Sequence, residues 1–407
     1  MNNTPSYVSE PVPVVLAGAR GHGRWHLNNI RNLAEAGRVR LAGVCELRPL
    51  DAEELAGFDA ERVVQSADFG ELLDRTGARI AIICTPIPTH TDLALTAAER
   101  GVHLLLEKPP APSYMEYERM AAGVAAAGIA CQVGFQSLGS HAVSHIRDLV
   151  RDGLIGEPLG IGAAGAWARD EDYYRRAPWA GHRRLPATGG TGGAGRTVDV
   201  VDGVLTNPLA HAVATSLALD GATGGADLTA IHTELYRAND IEADDTSYVE
   251  LTTRTGSRVT VAATLCAEQA DEPYVVVHGS RGRITFWYKQ DRVLVQRAGH
   301  GPDETVHGRT DLLANLLDHL ATDGATPLLV PPAATGAFMR VVEAIRQAPD
   351  PVALPDDAWS RVPADRPGAV RRVVHGADGL VAASADTLTG YAGLGAFWAR
   401  AEAEAAS

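Results

Sequence analysis

The sequence predicts an α/β chain of two domains. The first is a doubly wound parallel sheet, and the second is an α+β domain with a large open, mainly antiparallel sheet. Three observations carry this reading. In the first third, short apolar runs alternate with helix-like segments through short links, the pattern of βαβ units. After about Gly134 the pattern becomes alternating runs joined by turns such as Arg254-Thr255-Gly256-Ser257 and Gly279-Ser280-Arg281-Gly282. The length, 407 residues, is also more than one ordinary domain needs.

Taken in order, Val12–Ala17 reads as a strand, Arg24–Ala36 as a helix and Val39–Cys45 as a second strand. Arg79–Cys84 is a strand, Thr89–Arg100 a helix, Val102–Leu106 a strand, Ser113–Ala127 a helix and Ile129–Val133 a final strand. In the second domain His141–Asp152 is helical. A long polar stretch follows from Trp167 to Arg196 and ends in the glycine-rich Gly189–Gly195. A helix-like segment runs from about Asn207 to Leu219. Strands are expected at Asp227–Tyr236, Ser247–Thr253, Arg258–Leu265, Tyr274–Gly279, Arg283–Tyr288 and Arg292–Gln296. Helices return at Asp311–Ala321 and Pro332–Gln347. The expected boundaries are 1–133, 134–355 and a C-terminal extension, 356–407, to which no role is assigned.

Composition narrows the function classes. The chain is 45% hydrophobic and 21% charged, ordinary for a globular protein. Its formal charge of −14 argues against nucleic-acid binding, which needs a basic face. No run is long enough to span a membrane, and the N-terminus lacks a signal-peptide pattern. The four cysteines have neither disulfide-framework nor metal-ligand spacing, so reduced thiols in a cytoplasmic protein are expected. His141 and His145 are spaced i, i+4, but read as a solvated helix face, and no metal centre is expected.

Directly after the first strand comes Gly18-Ala19-Arg20-Gly21-His22-Gly23. Glycines there permit a tight turn and let the backbone approach a pyrophosphate at the positive end of the following helix. The central glycine is displaced by one from the usual G-x-G-x-x-G, with Arg20 in its place. Glu46 ends the second strand where an acid would hold a ribose diol. It favours NAD over NADP, although Arg48 stands nearby. Thr85 and Pro86 end another strand at the nucleotide-binding edge. Glu107-Lys108-Pro109 ends the strand after that. Of 36 basic residues only Lys108 and Lys289 are lysine. A lysine kept in so arginine-rich a chain suits a task that needs a compact ammonium. Between Trp167 and Leu185, Tyr174 and Trp179 can stack on a sugar ring, while Arg176 and Arg183 can donate to hydroxyls or a carboxylate.

The segments GARGHGRWH, CTPIPTHTDLALTAAERGVHLLLEKP, ADDTSYVEL and VHGSRGRITF resemble the glucose–fructose oxidoreductase/inositol dehydrogenase (Gfo/Idh/MocA) family. The resemblance runs from about Val12 to Pro351. It implies an N-terminal Rossmann domain, a held nicotinamide cofactor, and hydroxyl-to-carbonyl chemistry on a sugar or cyclitol. It also implies a homodimer or homotetramer formed through the C-terminal sheet. The family's catalytic lysine falls on Lys108, and its catalytic histidine on His211. The aspartate usual four residues earlier is Asn207, expected to orient the substrate or His211, and Gln136 is placed on the nicotinamide side. In the expected reaction His211 removes the hydroxyl proton while Lys108 steadies the oxygen. Two alternatives stay open: an NAD-dependent glycosidase working by transient oxidation and elimination, and a non-catalytic NAD-binding sensor.

Overall fold

The computed structural model describes residues 10–186 and 197–402, in two compact units. The glycine-rich Gly189–Gly195 lies outside the described residues. The first unit takes the chain through Ala111, then Glu116–Gly134 and Leu312–Pro331. Its six strands are β1 (Val12–Ala17), β2 (Val39–Cys45), β3 (Val64–Ser66), β4 (Ile80–Ile83), β5 (His103–Leu106) and β6 (Cys131–Val133). They form one parallel sheet in the order β3-β2-β1-β4-β5-β6. Its helices are α1 (Gly23–Glu35), α2 (Phe69–Thr76), α3 (His90–Ala98) and α4 (Tyr114–Ala126). Val14, Val15, Leu16 and Ala17, like Ile80 to Ile83, are fully buried, as a sheet covered on both faces requires. The strand order reverses between β1 and β4, where a ligand crevice opens at the carboxyl ends of such sheets.

In the first unit two elements and one assignment differ from expectation. β3 and α2 were not foreseen, although α2 carries both end signals. The Asp68 carboxylate accepts from the Glu71 amide at 2.8 Å, and Gly77 closes the helix at φ +57°. The helix Leu312–Ala321, expected in the second domain, belongs to the first unit and packs on β5 and β6. A buried amide explains the attachment. Gln132 donates to the Asn315 side chain at 2.6 Å and accepts from the Val330 amide at 2.8 Å.

The second unit contains Pro112–Met115, Phe135–Asp311 and the chain from Pro332 onward. Its elements begin with α5 (His141–Arg151), β7 (Pro158–Ala166), the hairpin β8 (Arg184–Pro186) and β9 (Thr197–Asp199), and α6 (Ala210–Asp220). There follow β10 (Leu228–Arg237), β11 (Thr246–Thr253), β12 (Arg258–Thr264), β13 (Tyr274–Gly279), β14 (Gly282–Trp287), β15 (Arg292–Arg297) and β16 (Asp303–Val306). Leu312–Ala321 is α7 in chain order. After it come α8 (Gly336–Gln347), β17 (Val352–Ala353), β18 (Trp359–Pro363), β19 (Val370–Val374) and α9 (Ala377–Thr387). Nine strands form one mixed, mostly antiparallel sheet, ordered β16-β15-β14-β13-β7-β12-β11-β10-β17.

The central strand β7, Pro-Leu-Gly-Ile-Gly-Ala-Ala-Gly-Ala, was not foreseen, because it lacks the β-branched residues that mark strands. Its small residues have a physical reason. A Cβ on Gly165 would lie 2.5 Å from Leu209, and one on Gly162 would lie 2.0 Å from the Ala385 carbonyl. Residues 165 and 162 face opposite sides of the sheet, so both faces are closely covered. The covering piece on the second face is the C-terminal extension. Tyr391, Trp398, Val381 and Ala385 pack with Ala164, Ala262, Tyr236 and Tyr248 in one buried cluster. The extension is therefore part of the second unit's core.

Among the described residues, no helix is long and apolar enough to cross a membrane.

Candidate active site

In the first unit the site is built at the carboxyl edge of β1, β2, β4 and β5. Gly18 (φ +82°) and Gly21 (φ +59°) take the left-handed turn that lets α1 start beneath the strand end. A Cβ on Gly23 would sit 1.9 Å from the Gly18 carbonyl, so the loop closes on itself only with glycine there. This is a cradle of backbone at a helix N-terminus, which suits a dinucleotide's phosphates. The Glu46 carboxylate accepts from the Ala19 and Arg20 amides, at 2.7 and 3.1 Å, and so holds the loop as well as the strand end. Arg20 is tied down beside the cradle, its guanidinium 3.5 Å from the Glu46 carboxylate. Its guanidinium pairs with Glu54 at 2.9 Å and donates to the Arg48 and Pro49 carbonyls. These contacts anchor the loop that carries it.

Glu107 is buried. It receives His26 Nε2 at 3.0 Å and the Lys108 amide at 3.1 Å, with His22 Nε2 at 3.6 Å. Burial opposes its charge, but the two imidazoles win and hold the carboxyl well below the usual carboxylate range. His22, His26 and Glu107 bring their ligand atoms within 4.8 Å of one another, a grouping that can also hold a metal ion. The buried Nδ1 of His26 has no hydrogen-bond partner among the described residues, whereas metal-bound imidazoles rely on that second nitrogen being held.

Lys108 stands half-buried at the end of β5, followed by a cis peptide to Pro109. His90, buried at the start of α3, reaches the Thr85 carbonyl with Nε2 and the Pro109 carbonyl with Nδ1, both at 2.8 Å. Burial pushes its imidazole pKa down, and the two carbonyls partly restore it. His90 thereby ties the Thr85-Pro86 turn to the segment that aims Lys108. Thr85 Oγ1 meets Thr89 Oγ1 at 2.6 Å, and the Pro86 carbonyl accepts from the Thr89 amide at 2.9 Å.

In the second unit, His211 lies in the first turn of α6. Its Nδ1 is 3.1 Å from Ser137 Oγ, which in turn accepts from Thr215 Oγ1 at 2.9 Å. The ring rests edge-on to Phe135, and Tyr288 lies beyond it. Gln136 begins the short turn carrying Ser137, and its carbonyl accepts from Arg309 at 3.3 Å. The expected helix from Asn207 begins instead at Ala210. Pro208 disfavours helical backbone at the residue before it, and 204–209 form turns. Asn207 therefore reaches its place through a turn, not through an i, i+4 helical face.

A residue that sequence reasoning missed stands beside it. Asp202 is 5% exposed and accepts from Asn207 Nδ2 at 2.7 Å, the Gly181 amide at 2.8 Å and Arg176 at 3.1 Å. Burial pushes its carboxyl up, while Arg176 and the hydrogen bonds pull it down; burial prevails. The preceding segment is braced by Asp244, which accepts from the Val204 amide at 3.1 Å and from Ser247 Oγ at 2.6 Å. Asp244 belongs to the ADDTSYVEL motif; its partner Asp245 holds the amides of Ala238 and Asn239 instead.

The four residues expected to bind substrate separate into two pairs. Arg176 and Trp179 join the Asp202–Asn207 group, with the guanidinium 4.6 Å from the Trp179 ring centroid. Tyr174 turns inward: its hydroxyl is buried with no hydrogen-bond partner among the described residues, and burial pushes the phenol pKa well up. Arg183 is buried, and it lines the same cavity as Tyr174. It donates to the carbonyls of Ile345, Arg346, Ala348 and Pro349 at 2.7–3.2 Å and so closes the C-terminal end of α8.

A glycine cradle and a Glu-Lys-Pro strand end on one parallel sheet define a nucleotide-binding oxidoreductase class. Residues 12–135 match the profile described as "Oxidoreductase family, NAD-binding Rossmann fold", and residues 143–285 match the "GFO/IDH/MocA C-terminal domain". The chain belongs to the Gfo/Idh/MocA family. The scyllo-inositol 2-dehydrogenase (NAD(+)) of Bacillus subtilis is 35% identical over 94 residues, 23% of this chain and 28% of that protein. The levoglucosan dehydrogenase of Pseudarthrobacter phenanthrenivorans is 25% identical over 264 residues, 61% of this chain and 65% of that protein. The chain covers only 28%, 42% and 44% of the length of the first curated relatives it matches. In fold it is similar to an inositol dehydrogenase homolog from Azotobacter vinelandii solved with NAD+. The TM-score is 0.67 at 16% identity, covering 85% of this chain and 97% of that one.

Proposed function

We propose that this protein is an NAD-dependent dehydrogenase of a sugar or cyclitol-like polyol. The observation that carries the reading is the buried Glu107 group. Its imidazoles and backbone hold the strand end that presents one of only two lysines in the chain. The glycine cradle fits the cofactor's phosphates, and Glu46 offers a carboxylate for a ribose diol, which would repel a 2′-phosphate. Relatives named as inositol and levoglucosan dehydrogenases support a polyol substrate.

A nicotinamide held at the glycine cradle would supply the hydride acceptor for the carbon-bound hydrogen. His211 takes the hydroxyl proton, its ring oriented through Ser137 and Thr215. Lys108 donates to the oxygen and stabilises its developing negative charge. Asn207 and Trp179 meet the sugar ring. For the implied homodimer or homotetramer we place the contact on the outer strands β14–β16. The second face of the central strands is already covered by the chain's own C-terminal segment. Four free thiols suit the cytoplasm.

The test is a panel of sugars and cyclitols with NAD, followed by nicotinamide absorbance. NAD reduction with one or more members is expected. No turnover with any member, at an NAD concentration that saturates binding, would refute the reading.

A further inference from the structure

We propose that His22, His26 and Glu107 form a binding site for a zinc-like divalent cation beside the glycine loop, and that an occupied site holds that loop in place. The site lies wholly in the first unit and stands apart from the polyol reading above.

The argument begins with spacing. His22, the residue before α1, already has helical backbone (φ −65°, ψ −25°), so it and His26 four residues later share one face. The same interval occurs at His141 and His145. Here a buried carboxylate faces the pair, with Glu107 Oε1 3.0 Å from His26 Nε2 and 3.6 Å from His22 Nε2. In a tetrahedral zinc site, ligand atoms about 2.0–2.1 Å from the ion stand about 3.3 Å from one another. The two measured separations bracket that value. All three ligand atoms lie within 4.8 Å of one another, and His22, its side chain 55% exposed, has the freedom to close the widest gap. Among the described residues no other three such side chains come so close.

The donor set suits zinc. Two imidazoles and a carboxylate are ligands that zinc takes, whereas calcium and magnesium favour oxygen alone. The carboxylate is also held in position by the protein. Glu107 Oε2 accepts from the Lys108 amide at 3.1 Å, and a Cβ on Gly134 would lie 2.7 Å from Oε1, so glycine there leaves the carboxylate its place. Trp25 walls the rings, stacked on His22 at 5.8 Å and edge-on to His26 at 5.0 Å between centroids. Three protein ligands leave the fourth position to water, and the exposed His22 marks the side from which the ion enters.

The Nδ1 of His26, without a partner among the described residues, sets the strength of the site. An imidazole ligand whose second nitrogen lacks its usual acceptor holds metal about 10–100-fold more weakly. The ion is therefore exchangeable, unlike a closed structural zinc. Its effect is local. Gly21-His22-Gly23 is the part of the loop that closes on the Gly18 carbonyl, so a cation gripping His22 and Glu107 ties the loop after β1 to the end of β5.

The experiment uses the full chain, stripped of metal with EDTA, and cobalt(II) chloride as the probe. Cobalt takes zinc's place, and its visible bands are intense only in a four-coordinate site. The parent should bind one equivalent, displaced by zinc chloride. H22A changes an exposed side chain, so it should fold as the parent does. It should weaken cobalt binding by about 100-fold or more, because it removes a ligand and not merely a ligand's support. H145A alters the other histidine pair and should leave the affinity within about twofold, since distant sites act independently. Zinc chloride should raise the Tm of the parent but not of H22A, the mark of an ion bound by the folded state. A parent without the four-coordinate cobalt spectrum, or an H22A protein that binds cobalt as the parent does, overturns the proposal. A spectrum lost in H145A and kept in H22A overturns it by moving the site to α5. Zinc that binds yet leaves the parent's Tm unchanged overturns the holding role. None of these readouts uses NAD or a polyol, so a failed dehydrogenase reading leaves them intact.

Discussion

Replacing Arg183 with methionine separates a structural arginine from a substrate-binding one. The side chain keeps most of its apolar stem and loses only the guanidinium. That group donates to Ile345 O at 2.7 Å, Ala348 O at 2.8 Å, Pro349 O at 2.9 Å and Arg346 O at 3.2 Å, and pairs with Asp350 at 3.0 Å. Asp350 is 95% exposed, so its share is small. Of the four carbonyl bonds, only that to Ile345 is buried; the others lie where water can partly replace the arginine. One buried charged hydrogen bond at about 2 kcal/mol and a few tenths from each of the rest give about 3 kcal/mol. The loss of a cation at the end of α8 is part of that sum. For a unit of this size about 3 kcal/mol lowers Tm by roughly 6–12 °C. Thermal unfolding without substrate measures it, and kcat and KM at 20 °C should stay near the parent values. A Tm within about 2 °C of the parent, together with a KM raised about tenfold, would refute the reasoning and return Arg183 to the substrate.

Lys108→Arg keeps the charge and NAD binding, but its wide fork cannot occupy the place of the ammonium. Turnover should fall by about 100-fold or more, read by steady-state kinetics. Glu107→Gln should destabilise the protein at pH 7 in chemical denaturation. Because the folded Glu107 carboxyl is held below its unfolded value of about 4.3, the parent's advantage is full above that pH. It should shrink as pH falls towards the folded value, and a gap that instead grows in acid would be contrary. Removing residues 376–407 strips α9, Tyr391 and Trp398 from the second face of the sheet. Light scattering should then show self-association or aggregation, whereas a monodisperse, equally stable product would mean the segment is dispensable.

The sequence made the first unit legible for a simple reason. Its strands are buried on both faces and therefore read as unbroken apolar runs, and its glycine loop sits where a strand meets a helix. β7 stayed hidden because close packing on both faces selected glycine and alanine, which erases strand propensity. Leu312–Ala321 could be seen as a helix, but its attachment depends on the Gln132–Asn315 amide pair, which no periodicity reports. His26 and His90 were quoted inside motifs without a role. Their signals were present: His26 lies four residues after His22, and His90 ends the Cys84–His90 turn. Arg176 and Arg183 are alike in composition and differ only in what surrounds them.

Asp202 shows the limit most clearly. The family pattern expects an acid four residues before His211, and the chain has Asn207 there. Counting residues makes that look like a lost charge. The charge is instead five residues earlier, brought beside the asparagine by a strained valine and a turn that Pro208 keeps out of helix. Neither the strain nor the turn has a periodic signature, so the acid is invisible to spacing. Once it is located, the asparagine ceases to be a defect. A neutral amide is the side chain that can donate to Asp202 without setting two carboxylates against each other. The departure from the family pattern and the buried aspartate are then one feature, and a variant that restores the family acid alone should be worse than the parent.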